Sequence, residues 1–300
     1  MENMDKKVSE KLDRVFSGFP NTDASKRQVE EFHRRYTKRT NFARVFSSAA
    51  AILVVPLLGI LAFQYFSTRN EPMQLPTLAD SSAHAYSIIE YVVVSGVKGR
   101  VVLPDSSEVW LNSSSSLRVP AVFGDASRVV ELEGEAFFDV RSDQRPLYVR
   151  TNRNITVRVV GTRFNISTYA NDESFRLHLV SGKAQLINEN NRTTFDMQPN
   201  QKVYVADGKQ AFSVIENPNE HLNTAWKAGY LVFCGTPLSE VIRRLERWYG
   251  VDVVVKSPRI LSERFTAEFR SESITQVLDF LKITSGIGYR ILNGKVILGD

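Results

Sequence analysis

A single cysteine, Cys234, in a chain of 300 residues excludes any disulfide within it. The fold must therefore be held by a buried core rather than by covalent staples. Cys234 ends the apolar run Tyr230-Leu-Val-Phe-Cys and reads as a small core residue, not a nucleophile. Histidine is also scarce: His33, His84, His178 and His221 are scattered, with no pair at metal-ligand spacing. There is no Gly-x-Ser-x-Gly elbow and no Gly-Lys-Ser or Gly-Lys-Thr phosphate loop. Glu131, Glu133 and Glu135 alternate with Leu132 and Gly134, the pattern of one solvated strand face rather than of a catalytic pair. No catalytic, cofactor-binding or metal residue is expected, and no enzyme.

Charge is missing from one place. From Val45 to Thr68 no residue carries a formal charge. At about 1.5 Å per residue a helix of this length crosses the roughly 30 Å hydrocarbon core of a bilayer. Pro56 and Gly59 are better tolerated in such a span than in a soluble helix. The run starts too far in, and ends too bulkily at Phe63, Tyr65 and Phe66, for a cleaved signal peptide. One transmembrane helix is expected over 45–67. The preceding residues hold eleven Lys and Arg against seven acids, +4 of the chain's net +5. Positive charge beside a span marks the cytoplasmic end, which places residues 1–44 inside and the remainder outside, as in a bacterial inner membrane with a periplasmic C-terminal part. Topology and anionic lipid account for the basic arm without nucleic acid.

Within the arm, Val8, Leu12, Val15, Phe16 and Phe19 share one helical face, and Val29, Phe32 and Tyr36 lie on a second short helix. Helices so short cannot enclose a core, so their stripes need a membrane or a partner, and the aromatics favour a partner. Residues 68–90, with Pro72, Pro76 and Asp80-Ser-Ser, read as a linker. Over 91–222 the chain alternates with period two, as in Phe175, Leu177 and Leu179 around Arg176 and His178. Turn residues punctuate the runs, implying an all-β sandwich or roll. Residues 223–300 contain a repeat. The segments around Phe233 to Val251 and Phe269 to Ile287 each read as a strand ending in Phe, a polar turn, a helix with apolar positions at i, i+3, i+4 and i+7, a Gly cap and a second strand. Asn293-Gly294 turns a final hairpin. Two strand-helix-strand copies make a small α+β domain.

Several segments resemble the FecR family: Leu103-Pro-Asp-Ser-Ser-Glu-Val-Trp-Leu-Asn112, Leu132-Glu-Gly-Glu-Ala-Phe-Phe-Asp-Val140, Gly161-Thr-Arg-Phe-Asn165, Leu179-Val-Ser-Gly-Lys183 and Gln198-Pro-Asn-Gln201. The C-terminal repeat, from Trp226 to Leu298, is similar to the domain that follows such modules in Bacteroidetes-type proteins and to the small signalling domains of secretins and TonB-dependent transducers. The resemblance implies a transmembrane anti-sigma factor. Its arm would hold an extracytoplasmic-function sigma factor, and its periplasmic part would receive a signal from a TonB-dependent outer-membrane transporter, with an intramembrane protease as a further partner. On this reading Leu12, Val15, Phe16, Phe32 and Tyr36 meet the sigma factor, and Val296, Ile297 and Leu298 offer a strand edge to the transducer. Gly134 and Gly161 would allow close backbone approach, while Phe137, Phe138 and Phe164 fill the core. The family usually carries Asp-Gly where this chain has Asp105-Ser106, so a less regular turn is expected there. A second reading remains open: a membrane-anchored periplasmic binding or assembly module without sigma-factor control.

Overall fold

The computed structural model of the protein describes residues 87–299, apart from 208, 210 and 217. The arm with Leu12, Val15, Phe16, Phe32 and Tyr36, the span over 45–67 and most of the linker lie outside the described residues. Among the described residues no helix is long and apolar enough to cross a membrane.

Thirteen strands build the first part: β1 Ile88–Val93, β2 Gly99–Val102, β3 Glu108–Leu111, β4 Ser115–Pro120, β5 Arg128–Asp139, β6 Leu147–Thr151, β7 Ile155–Val159, β8 Arg163–Thr168, β9 Ser174–Ser181, β10 Ala184–Asn188, β11 Thr193–Met197, β12 Gln201–Ala206 and β13 Ser213–Glu216. They form two layers that share β5. One layer runs β1-β4-β5-β6-β7-β10-β11 and the other β2-β3-β5-β8-β9-β12-β13. The first half of β5 pairs with β4 and β6, and the second half with β3 and β8. The strand changes layer at Gly134, whose φ of +101° suits only glycine and where a Cβ would collide with Ser115.

Period-two side chains from both layers meet in between. Leu117, Val130, Leu147, Val157, Phe164, Leu177 and Leu186 are all sealed from water, and Phe138 stacks on Phe164 at 5.0 Å. Each such side chain contributes about 1.5–3 kcal/mol on burial. Phe137 is buried too, but on the opposite face of its strand, against Trp110. The Leu103–Ser107 turn has Ser106 at φ +66°, a left-handed conformation that a glycine would adopt without strain. Asp105 anchors it by accepting from the Ser107 backbone at 3.0 Å and pairing with the fully buried Arg128, which also donates to the Arg145 carbonyl at 3.0 Å.

The second part starts with a short helix, α1 (Glu220–Thr224), and a 3-10 turn, Ala225–Ala228. Then follow β14 (Leu231–Pro237), α2 (Leu238–Tyr249), β15 (Asp252–Val255), β16 (Arg264–Phe269), α3 (Ile274–Ser285), β17 (Tyr289–Leu292) and β18 (Lys295–Leu298). These are the two expected strand-helix-strand copies with a closing hairpin. The first strands of the copies pair with each other, and the second strands flank β18. Leu238, Val241, Ile242 and Leu245 on α2 and Val277, Leu278 and Leu281 on α3 face one core. Both helices end at glycine, Gly250 and Gly286, in the left-handed conformation.

Three sequence expectations are corrected here. The first strand of the first copy does not stop at Phe233; it runs to Pro237 with its register broken between Phe233 and Thr236. That irregularity turns Cys234 outward, so the thiol is exposed rather than a core residue. The strand Val296-Ile297-Leu298 is not an edge. It is the centre of its sheet, parallel to β15 and antiparallel to β17, and Val296 and Leu298 are buried. The free edges of that sheet belong to β15 and β17.

Candidate functional site at the domain junction

The outer face of the layer containing β8, β9 and β12 presents the residues that alternate with its core. These are Asn165 and Ser167 on β8, Arg176 and His178 on β9, and Lys202 on β12. Glu135 joins them from β5 just beyond the Gly134 bend. The sequence pattern assigns such a face to solvent, yet His178 and Ser167 are each only 2% exposed. The second domain covers them, laying Trp226 and the Glu240, Arg244 and Arg247 side of α2 across the face.

Asp172, at the turn between β8 and β9, is the electrostatic centre of this junction. Its carboxylate is almost fully buried and meets Arg176 at 2.7 Å, Arg247 at 2.9 Å and Arg243 at 3.5 Å. Arg176 also reaches Glu240 at 2.9 Å, and Arg247 stacks over Tyr169 at 3.8 Å. Such contacts persist away from water only because several donors share one carboxylate. Burial pushes the Tyr169 hydroxyl well above its ordinary range, so it serves as a donor, to the Ser113 carbonyl at 2.7 Å.

A second link is made of neutral and acidic groups. Asn112 and Asn165 donate to the two Glu135 oxygens at 2.8 and 2.9 Å, and Trp226 donates its indole N–H to Asn165 at 2.9 Å. Lys227, next along the 3-10 turn, sits over Phe137 at 3.4 Å and Trp110 at 4.2 Å. On the other side Lys98 lies over Trp248 at 3.6 Å.

Between these contacts remains a polar cavity of about 110 Å³. Burial first, then the neighbouring Arg176 charge, lowers the Lys202 ammonium from its ordinary 10.5 to about 8, with Glu240 and Glu135 opposing. Burial likewise pulls His178 below its usual value. Of the glutamate series, Glu131 pairs with Arg118 at 2.8 Å and Glu133 is exposed, whereas Glu135 is enclosed at the junction instead of lying on a solvated face. Among the described residues no group of three or more His, Cys, Asp or Glu is placed to hold a metal ion.

The structure does not bring Val296, Ile297 and Leu298 to this junction. What it does bring together was partly visible in sequence. Asn112, Glu135 and Asn165 each lie in one of the motif segments, and they form a hydrogen-bonded chain that Asn165 joins to Trp226 of the repeat domain. Asp172, Arg176, Arg243 and Arg247 carried no signal beyond ordinary surface charge.

Residues 90–185 match the family model described as FecR protein, and residues 230–298 match the one described as FecR, C-terminal. Together they take in more than half of the chain. The chain belongs to the FecR family. Two crystal structures of a candidate anti-sigma factor from Parabacteroides distasonis, at 1.65 and 2.50 Å resolution, are similar to this FecR-family chain, each with a TM-score of 0.65 and 31% identity. The similarity covers 70% and 71% of this chain and 98% of theirs. No curated protein sequence matches it.

Proposed function

We propose that this FecR-family chain is a single-span anti-sigma factor of a bacterial inner membrane. Residues 1–44 lie in the cytoplasm and hold an extracytoplasmic-function sigma factor through Leu12, Val15, Phe16, Phe32 and Tyr36. The part beyond the span is periplasmic and receives its signal from the signalling domain of a TonB-dependent outer-membrane transporter. The observation that carries the reading is the 31% identity to a candidate anti-sigma factor, extending over nearly all of that protein, with both FecR family models in order. The uncharged stretch before the described residues, flanked by basic residues on its N-terminal side, supports the membrane topology.

With β18 enclosed, the receiving surface is assigned to the free edges of β15 and β17, where Val254, Ile291 and Leu292 stand about half exposed. Strand addition there satisfies open backbone groups and covers apolar side chains at once. A load applied to this domain reaches the β-layers through Asp172 and Trp226, and from there the span. Release of the sigma factor is then completed by intramembrane proteolysis.

The test is co-purification of a sigma factor with the full chain, expressed at native level in its own host and solubilised in detergent. The same preparation of a variant with Leu12, Phe16 and Phe32 changed to Ala serves as control. Retention by the wild type and loss in the variant, with raised transcription from the sigma factor's promoter, is expected. Equal recovery, or no sigma factor with either protein, sinks the proposal.

A further inference from the structure

The charges around the junction cavity do not balance, and its polar atoms are not all used. Four cations line it, Arg176, Lys202, Arg244 and Arg247, against the two carboxylates Glu135 and Glu240. Asp172, from behind, holds Arg176 and Arg247. One positive charge is left over. Lys202 and Arg244 are the side chains without an acid: neither forms an ion pair among the described residues, and Arg244 rests only on the Phe233 ring at 4.6 Å. Opposite them, both ring nitrogens of His178 and the hydroxyl of Ser167 are buried and have no hydrogen-bond partner among the described residues. Leaving such groups unsatisfied costs about 1–3 kcal/mol each, so the cavity is built to contain something polar.

The volume limits what that is. A water needs roughly 10–15 Å³ of such space, while a cavity of about 150 Å³ accepts a benzene molecule. At about 110 Å³ the space exceeds one water and suits an ion of about four to six non-hydrogen atoms. A single uncompensated positive charge favours a monoanion over a phosphate or sulfate dianion. A guanidinium edge from Arg244 matches the two oxygens of a planar carboxylate, and His178 and Ser167 supply further donors. Trp226, Tyr230 and Trp248 line the same space and suit a short carbon body.

We propose that the junction cavity is a binding site for a small carboxylate monoanion. The anion bridges Lys202 of the β-layers to Arg244 of the C-terminal domain and so holds the two domains together. Because it contacts both domains at once, it binds only the docked form and stabilises that form by mass action.

The test uses the full chain in detergent, with thermal unfolding and calorimetric titration in sodium acetate, sodium lactate, sodium phosphate, sodium sulfate and sodium chloride at matched ionic strength. Acetate or lactate is expected to raise the melting temperature saturably and to give a titration heat. Arg244→Gln and Lys202→Met are each expected to weaken binding roughly tenfold or more while still unfolding cooperatively in chloride. Should either variant fail to fold, amide exchange on the wild type decides: carboxylate is expected to protect α2 and β9, and chloride to leave them unchanged. Equal shifts with every salt, no protection, or affinity unaltered in the variants shows a cavity filled by water alone and overturns the proposal. A response to phosphate or sulfate without one to carboxylates overturns the assigned ligand class.

Discussion

Asp172 accepts a hydrogen bond from Arg247 at 2.9 Å across the junction, with the two side chains only 2% and 10% exposed. One residue belongs to the turn between β8 and β9 and the other to the last turns of α2, so this contact spans the two domains. Asp172 is shared with Arg176 and Arg243 as well, which makes it the residue whose loss strands the most charge.

Asp172→Ala is therefore expected to cost about 3–5 kcal/mol, because three guanidinium groups lose their buried counter-charge. Urea unfolding measures the loss. Limited proteolysis tests where it falls, with the segment between β13 and the 3-10 turn becoming sensitive while the β-layers persist. A cost below 1 kcal/mol would show that the cluster is solvated.

Trp226→Phe keeps an aromatic ring, though a smaller one, but removes the indole N–H that Asn165 accepts. The Asn165 oxygen is left buried without that donor, at an expected cost of about 1–3 kcal/mol. Combined with Asn165→Ala in a double-mutant cycle, the two changes should fall well short of additive. Additivity in chemical denaturation would place the two groups out of contact.

Ser106→Gly should stabilise the protein by about 0.5–1 kcal/mol. Relief of a left-handed serine, roughly 1–2 kcal/mol, outweighs the extra freedom of glycine in the unfolded chain, about 0.5–1 kcal/mol. Asp105 keeps its bonds to Ser107 and Arg128 in the variant. Thermal unfolding is the readout, and a lower melting temperature contradicts the strain.

Lys202 gives the junction a pH dependence of known sign. Its folded-state value of about 8 lies below the ordinary 10.5 because burial and Arg176 disfavour the ammonium. Between those limits the unfolded chain holds a proton that the folded chain has lost, so stability contributed by this group rises with pH across the window. The difference in unfolding free energy between wild type and Lys202→Met should grow by roughly 3 kcal/mol at most from pH 8 to 10.5 in chloride buffer. Saturating acetate, by restoring a counter-charge, should move that rise to higher pH. A difference that stays flat, or falls with pH, refutes the assignment.

Much of the architecture is local and for that reason legible. Phe175, Leu177 and Leu179 point to one side because a strand has period two, whatever surrounds it. The helix faces of α2 and α3, their glycine caps and the Asn293-Gly294 turn follow from spacing over a few residues. A local pattern does not settle which strand or which bend lies next to it. Asn293-Gly294 does turn a hairpin, but the same alternation cannot say that β15 closes over the far edge of β18. An apolar run ending in Cys234 does not announce the register break that turns the thiol outward.

The amino-acid sequence alone determined the all-β and repeat character of the described parts, the absence of a disulfide and the family motifs, because each is carried by residue type at short spacing. Tertiary structure decided what covers the polar face of β9. Arg176 meets Glu240 from 64 residues further along, and Asp172 meets Arg247 from 75 residues away. No periodicity reaches so far. Only docking of the second domain turned Arg176, His178 and Lys202 from a strand's outward side chains into the walls of a buried, charged cavity.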